Sequence, residues 1–146
     1  MPLTVVNSKG MTLGIGDAAS PEVFTSIGGI VDMPNIAPSK SVKDRTALAD
    51  SIRYYGHGIE EPPQFTLSLY WNPDDTQQTA LTTAYTNETY NNYRITCPDS
   101  PPTTYTFKAM VASSPSTPYG GVDDDLMIDV TFQLIENDDG NVFTKA

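Results

Sequence analysis

The sequence predicts a mainly β fold: a β-sandwich or barrel-like domain with one short flanking α-helix and a long inter-strand loop. Three observations carry this. Several segments alternate apolar and polar residues with a period of two. The 12 prolines and 10 glycines, spread among many Thr, Ser and Asn residues, punctuate the chain at the intervals of short strands and turns. Only one stretch carries helix signals. At 146 residues the chain fits one domain, 1–146, since domains commonly run to roughly 100–200 residues.

Met11, Leu13 and Ile15 mark a first strand, ended by a turn at Gly16–Asp17. Val23 to Met33 reads as a second, interrupted at Gly28–Gly29 by a bulge or kink. Phe65, Leu67, Leu69 and Trp71 alternate with Thr66, Ser68 and Tyr70, one set inward and the other outward. Helix signals then cluster over 72–86. Asn72 is a favoured N-cap, Pro73 suits a first turn, and Asp74 and Asp75 sit where the helix dipole favours anions. Leu81, Ala84 and Tyr85 share the face expected to be buried, and the many threonines make tertiary packing necessary. Tyr93, Ile95 and Cys97 form a strand, Cys97–Pro102 a turn, and Tyr105, Phe107, Ala109 and Val111 the strand that returns. Leu126, Ile128, Val130, Phe132 and Leu134 form the last clear alternating strand.

The segment 34–64 differs from the rest. Ser39–Leu48 has strand character with Val42 as its best apolar anchor, whereas Ala49–Gly58 follows neither period, and Glu60–Glu61–Pro62–Pro63 closes the segment. Such a long loop in a compact domain is usually functional or disordered. Ile52, Tyr54 and Tyr55 point to a segment that orders on contact.

Charge excludes several functions. With 8 basic against 18 acidic residues the net charge is −10, which repels phosphate backbones and argues against ordinary nucleic-acid binding. No apolar run is long enough for a membrane helix, and Met1–Gly10 has the character of no secretory signal. The charges are unevenly placed. Lys40, Lys43, Arg45 and Arg53, with only Asp44 and Asp50 among them, make their stretch of the long loop locally positive, while Asp123, Asp124, Asp125, Asp138 and Asp139 make an acidic region elsewhere. Complementary patches on one subunit favour head-to-tail contacts that give rings or open stacks.

No credible active site emerges. His57, the single histidine, lies between glycines in the long loop and reads as a solvated side chain. Cys97 stands alone and continues an apolar face, so a buried structural thiol is expected, and a Cys97–His57 dyad has no supporting motif. Asp123–Asp125 are contiguous and lack the spaced ligands of a calcium loop, and Asn137–Asn141 lacks the distal Glu and reads as a turn. Gly14–Ile15–Gly16 is too short to cradle phosphate. No enzyme activity, metal or cofactor is expected.

The order of elements resembles the major tail tube proteins of long, non-contractile-tailed, lambda-like bacteriophages. The resemblance runs through Met11–Asp17 and Phe24–Ile30, then the long charged loop, then Phe65–Asp75 leading into Gln78–Leu81. It continues through Arg94–Asp99, Thr104–Ala109 and Gly121–Asp124. It spans nearly the whole chain in soft patterns, and the Glu60–Pro63 closure departs from the glycine-containing turns common in the family. No added immunoglobulin-like domain is expected after the last strand.

The resemblance implies a structural virion protein, made in the host cytoplasm and located in the phage tail. It implies subunits that assemble with themselves into hexameric rings stacked as a tube. The tape-measure protein would fill the tube during assembly, tail terminator and distal tail proteins would cap it, and viral DNA would pass through unbound. It also implies an assembly loop reaching the neighbouring ring or subunit, carried here by Lys40, Lys43, Arg45, Arg53, Tyr54 and Tyr55. A DNA conduit must not bind DNA, because attraction at each phosphate accumulates over many subunits. Thr66, Ser68, Tyr70, Asp129, Thr131 and Gln133, the polar faces of two strands, are the candidates to line the lumen. The alternatives are a glycan-binding β-sandwich module using Trp71, or a related tail terminator or injection-system inner tube.

Overall fold

The structure is a computed structural model that describes residues 5–6, 9–18, 21–136 and 142–145. Its elements are β1 Thr12–Gly16, β2 Phe24–Ser26, β3 Ser39–Asp44, β4 Tyr55–Glu61, β5 Gln64–Tyr70 and α1 Thr76–Asn87. These are followed by β6 Tyr90–Thr96, β7 Thr104–Ser113, β8 Met127–Ile135 and β9 Thr144–Lys145. The main sheet is antiparallel in the order β2-β1-β6-β7-β8-β5, with β9 on β7, while β3 and β4 form a sheet of their own. The mainly β prediction, with one short helix beside the sheet, is met.

Alternation becomes burial along the central strands. Phe107, Ala109 and Val111 of β7 and Ile128, Val130, Phe132 and Leu134 of β8 are buried on one face. Four aromatic rings form the centre. Phe65 stacks on Phe132 at 5.0 Å between ring centroids, Tyr93 stacks on Phe107 at 5.7 Å, and Tyr93 meets Phe132 edge-on at 5.2 Å.

The segment 24–31 brings the two edges of the sheet together and so closes it as a barrel. Its first half pairs with β1, where the Ile27 amide donates to the Leu13 carbonyl at 2.8 Å. Its second half pairs with β5: Ile30 bridges Leu69, the Tyr70 amide donates to the Gly29 carbonyl at 2.7 Å, and the Val31 amide donates to Ser68 at 3.2 Å. Gly29 turns this corner at φ +82, where a Cβ would fall 2.8 Å from the Tyr70 carbonyl oxygen. The predicted single strand from Val23 to Met33 is thus a three-residue strand, a glycine corner and a one-residue bridge; the interruption at Gly28–Gly29 is where the sequence placed it.

The helix begins later than predicted. Its N-cap is Asp75, whose carboxylate accepts from the Gln77 amide at 2.9 Å, and not Asn72, whose side chain is engaged by the Asp74 amide at 3.1 Å in the preceding turn. The buried positions are Gln78, Leu81 and Ala84; Tyr85, expected on that face, is exposed. Gln78 is the unexpected member, only 5% exposed. Its Nε2 donates to the carbonyls of Gly28 (3.2 Å) and Tyr70 (2.8 Å), and its Oε1 accepts from the Asn72 amide at 3.0 Å. Asp75 accepts from the Gly28 amide at 3.1 Å. The helix N-terminus therefore fastens the glycine corner to β5.

Other expectations are corrected at strand ends. Trp71 and Leu126 lie outside their strands and are exposed, Trp71 at 42%, because the alternating face stops at Leu69 and Ile128. Cys97 follows β6 and is half-buried, so it is not the sealed thiol its alternation suggested. A further short strand, β9, follows the one read as last.

Candidate assembly surfaces

Residues 39–61 form an arm. The predicted loop 34–64 is in large part a two-stranded hairpin, with Ser39 paired to Glu61, Lys40 to Glu60, Val42 to His57, Lys43 to Gly56 and Asp44 to Tyr55. Nothing in it is buried; Val42, the expected apolar anchor, is exposed, and only Thr46, Gly56 and Gly58 are half-buried. The glycines of β4 make room for side chains from β3 and its turn. A Cβ on Gly56 would lie 2.6 Å from Arg45 Nε, and one on Gly58 would collide with the Ser41 hydroxyl. The two glycines erase the strand period at the start of β4, and residues 49–54 show none because they belong to the tip and not to a strand.

The tip of the arm is tied by its own polar groups. The Asp44 carboxylate accepts from the Thr46 amide (3.0 Å) and hydroxyl (2.6 Å) and pairs with Arg53 at 2.8 Å. The Tyr54 amide donates to the Thr46 hydroxyl at 2.8 Å, the Arg45 amide to the Tyr54 carbonyl at 2.7 Å, and the Ala47 amide to Asp50 at 2.7 Å. Hydrogen bonds from the Thr46 hydroxyl and amide, with Arg53 adding to them, hold the Asp44 carboxyl below the usual carboxylate range. Around this network Leu48 is fully exposed and Ile52 is 80% exposed. The stretch from Lys40 to Arg53 carries four cations and two acids, and the register adds two more acids to the whole hairpin. Glu60 and Glu61 belong to β4, so Lys40, Lys43, Arg45 and Arg53 stand against Asp44, Asp50, Glu60 and Glu61, four of each sign.

A polar face runs over β5 and β8. Thr66 is opposite Thr131 and Ser68 opposite Asp129, while Tyr70 faces Met127 and Gln133 faces Gln64. The six residues singled out from the sequence are therefore brought onto one outward face. They are largely satisfied among themselves and their neighbours. The Thr66 and Thr131 hydroxyls are 3.1 Å apart, Asp129 accepts from Ser68 (2.8 Å) and from the Tyr119 hydroxyl (3.0 Å), and Gln133 donates to the Pro62 carbonyl at 3.2 Å. The bond to Asp129 is also the main reason the Tyr119 hydroxyl titrates above its ordinary range.

Asp123, Asp124 and Asp125 are exposed in the β7–β8 connection and, with Tyr70 and Tyr119, line a cleft of about 490 Å³. Asp124 is engaged by the Gly121 amide at 3.2 Å. Asp138 and Asp139, the other two acids of the expected cluster, lie outside the described residues. Among the described residues no three His, Cys, Asp or Glu side chains converge as metal ligands, and no helix is long and apolar enough to cross a membrane.

One feature escaped the sequence reading. Met11, Met33, Ile36, Ile95, Tyr105 and Phe143 line an apolar groove of about 260 Å³ at the foot of the arm, with Cys97 in its wall and Lys145 its one charged residue. His57 is not among the residues around Cys97, and the dyad gains no support. The groove draws on five separated stretches of chain, so no local pattern announces it.

No family model and no curated protein matches the sequence. Solved structures do share its fold. A chain of the sheath/tube terminator of an extracellular contractile injection system, PVC, aligns with a TM-score of 0.71 at 12% identity, covering 100% of this chain and 97% of that one. A chain of the virion of a native gene transfer agent particle aligns at 0.70 and 13% identity, over 97% of this chain and 99% of that one. A chain of the SPP1 tail tube aligns at 0.60 and 13% identity, over 97% of this chain and 78% of that one. The fold is that of proteins in phage-like tails and injection systems.

Proposed function

We propose that this chain is a structural, non-enzymatic subunit that assembles with copies of itself into stacked rings, forming a tube in a phage-like tail. The supporting observation is the end-to-end likeness of its fold to chains of a tail tube, a gene transfer agent virion and a tube terminator. In this reading the rings are hexameric, the tape-measure protein occupies the tube during assembly, and terminator and distal tail proteins close its ends. The tail is long and non-contractile, and the protein resides in the virion. The face bearing Thr66, Ser68, Tyr70, Asp129, Thr131 and Gln133 lines the lumen. Small, mutually hydrogen-bonded polar groups on an acidic subunit leave DNA no cation to hold, which suits transit without binding.

The arm is the contact between copies, with Asp123, Asp124 and Asp125 as a second contact surface. An exposed two-stranded hairpin is marginally stable alone and gains from being covered. The likeness to a terminator chain favours one second reading, a ring that ends a tube and does not extend it. Electron microscopy of the purified chain at rising concentration and ionic strength tests both. Uniform rods are expected; isolated rings select the terminator role; and a persistent monomer that retains a glycan, or one with enzymatic turnover, overturns the proposal.

A further inference from the structure

We propose that the tip of the arm, through Leu48 and Ile52, docks into the apolar groove of Met11, Ile36, Ile95, Tyr105 and Phe143 on a second copy of this chain. The inference rests on the assembly reading above and names its receptor. Two unfilled halves of a contact are present on one molecule. The tip holds two aliphatic side chains in water on a loop tied by Asp44, Thr46 and Asp50, so it is shaped before any partner arrives. Pre-shaping of this kind lowers the ordering cost of association. The groove offers an apolar concavity in which Met11, Ile36, Tyr105 and Phe143 are half-buried around the buried Ile95.

The arm cannot fill its own groove. Met33, Pro34 and Ile36 line the groove immediately before β3, and six residues of strand carry the tip roughly 20 Å from that root. An arm tip that enters this groove therefore belongs to another molecule, and the placement of charge lets that molecule be a copy. At net charge −10 two subunits repel, but residues 39–61 carry four charges of each sign and are the segment that approaches an acidic copy at least cost. The groove's charged lining residue is a cation, Lys145, and the tip carries Asp50. With its charges balanced, the arm has no net attraction toward Asp123–Asp125, and an apolar receptor suits it better. Because tip and groove are different surfaces, each docked copy still offers one of each, and the chain of copies grows head to tail.

Cys97 in the groove wall supplies the test, as the sole cysteine in the sequence. The full chain carrying Ile52→Cys is treated with a short bis-maleimide, and the unmodified chain is labelled at Cys97 with a thiol reagent, dispersed and concentrated. Covalent ladders of copies are expected, abolished by Cys97→Ser. Labelling on concentration should slow by about tenfold, the protection given by a contact of about 1.4 kcal/mol, and Leu48→Asp should remove that protection. Rods without ladders and without protection overturn the docking while leaving the tube reading intact. Ladders and protection without rods sustain the docking and overturn the tube. Neither ladders nor rods overturns both.

Discussion

The barrel and the arm use similar residues to opposite ends. In the barrel, Leu13, Leu67, Leu69, Phe107 and Phe132 are sealed from water, and nearly every polar group of the outward face has a partner within the same chain. In the arm, Val42, Leu48, Ile52 and Ile59 stand in solvent on a hairpin that buries nothing. The barrel is stabilised by what the chain itself contains. The arm ties its tip with hydrogen bonds and leaves its apolar side chains uncovered, the pattern of an element built to be covered from outside. The difference predicts that substitutions in the barrel act on stability and those in the arm act on association.

The largest effect comes from the aromatic centre. Phe132→Ala opens a cavity beneath Phe65 and Tyr93 and should cost about 3–5 kcal/mol in denaturant unfolding, whereas Leu48→Ala should stay within about 0.5 kcal/mol. Comparable losses from the two variants would erase the distinction between the regions.

Next is the clasp at the glycine corner. Gln78→Leu keeps much of the side-chain volume but leaves the Gly28 and Tyr70 carbonyls and the Asn72 amide without their partner. A loss of about 1–3 kcal/mol is expected. Hydrogen exchange should quicken first at the Tyr70 and Val31 amides, which close the barrel. An unchanged unfolding midpoint would mean that the closure stands without its clasp.

Tyr93 offers an opposite sign. Its ring is fully buried, and its hydroxyl lacks a hydrogen-bond partner of good geometry. Burial pushes the hydroxyl's pKa up to about 12, with the Asn91 side chain, two residues back on the same face, offsetting only part of that. Tyr93→Phe should therefore leave stability at neutral pH unchanged or raise it by about 1 kcal/mol. The sign with pH follows from the raised value. The folded state keeps its proton while the unfolded chain loses it near its ordinary pKa of about 10, so this group's contribution is intact below that and drains away as pH rises through about 12. The difference between the native chain and Tyr93→Phe across that window isolates the group from the other tyrosines. A parallel fall in both would show that this hydroxyl is not shielded.

These two regions also differ in how plainly they are written. The central strands were legible because one face is buried: Phe107, Ala109 and Val111, or Val130, Phe132 and Leu134, keep period two wherever the core imposes it. The kink at Gly28–Gly29 was legible because adjacent glycines mark a corner, but the role of Gln78 was not, since a buried amide has no pattern of its own. The helix start was displaced by three residues because Asn72 and Asp75 are both good caps; Asp75 caps the Gln77 amide locally, and its tertiary bond to Gly28 has no counterpart in the sequence pattern. The arm was obscured because neither of its faces is buried and Gly56 and Gly58 stand where apolar residues would betray a strand. The positive stretch from Lys40 to Arg53 was legible, whereas the placing of Glu60 opposite Lys40 needed the β4 register. The six polar residues of β5 and β8 were placed on one face correctly, as alternation requires.

The smallest effect belongs to the arm alone. The Asp44 carboxyl is held low chiefly by the Thr46 hydroxyl and amide, with Arg53 adding to them. A lowered value means the ionised form is favoured when the tip is formed. Its contribution is present above the ordinary carboxylate range and is lost as pH falls through the lowered value. On acidification, exchange at the Thr46 and Tyr54 amides should therefore quicken, because both are bonded within that network, while the unfolding midpoint of the barrel is unmoved by this group. Asp44→Asn should reproduce the quickening at neutral pH, since an amide cannot pair with Arg53 as a carboxylate does. The barrel has no hydrogen bond to the tip network among those just described, so its own amides should not respond. If Leu69 or Phe107 amides quickened in step with Tyr54, the arm and the barrel would be one cooperative unit, and the tip could not be reshaped without disturbing the core.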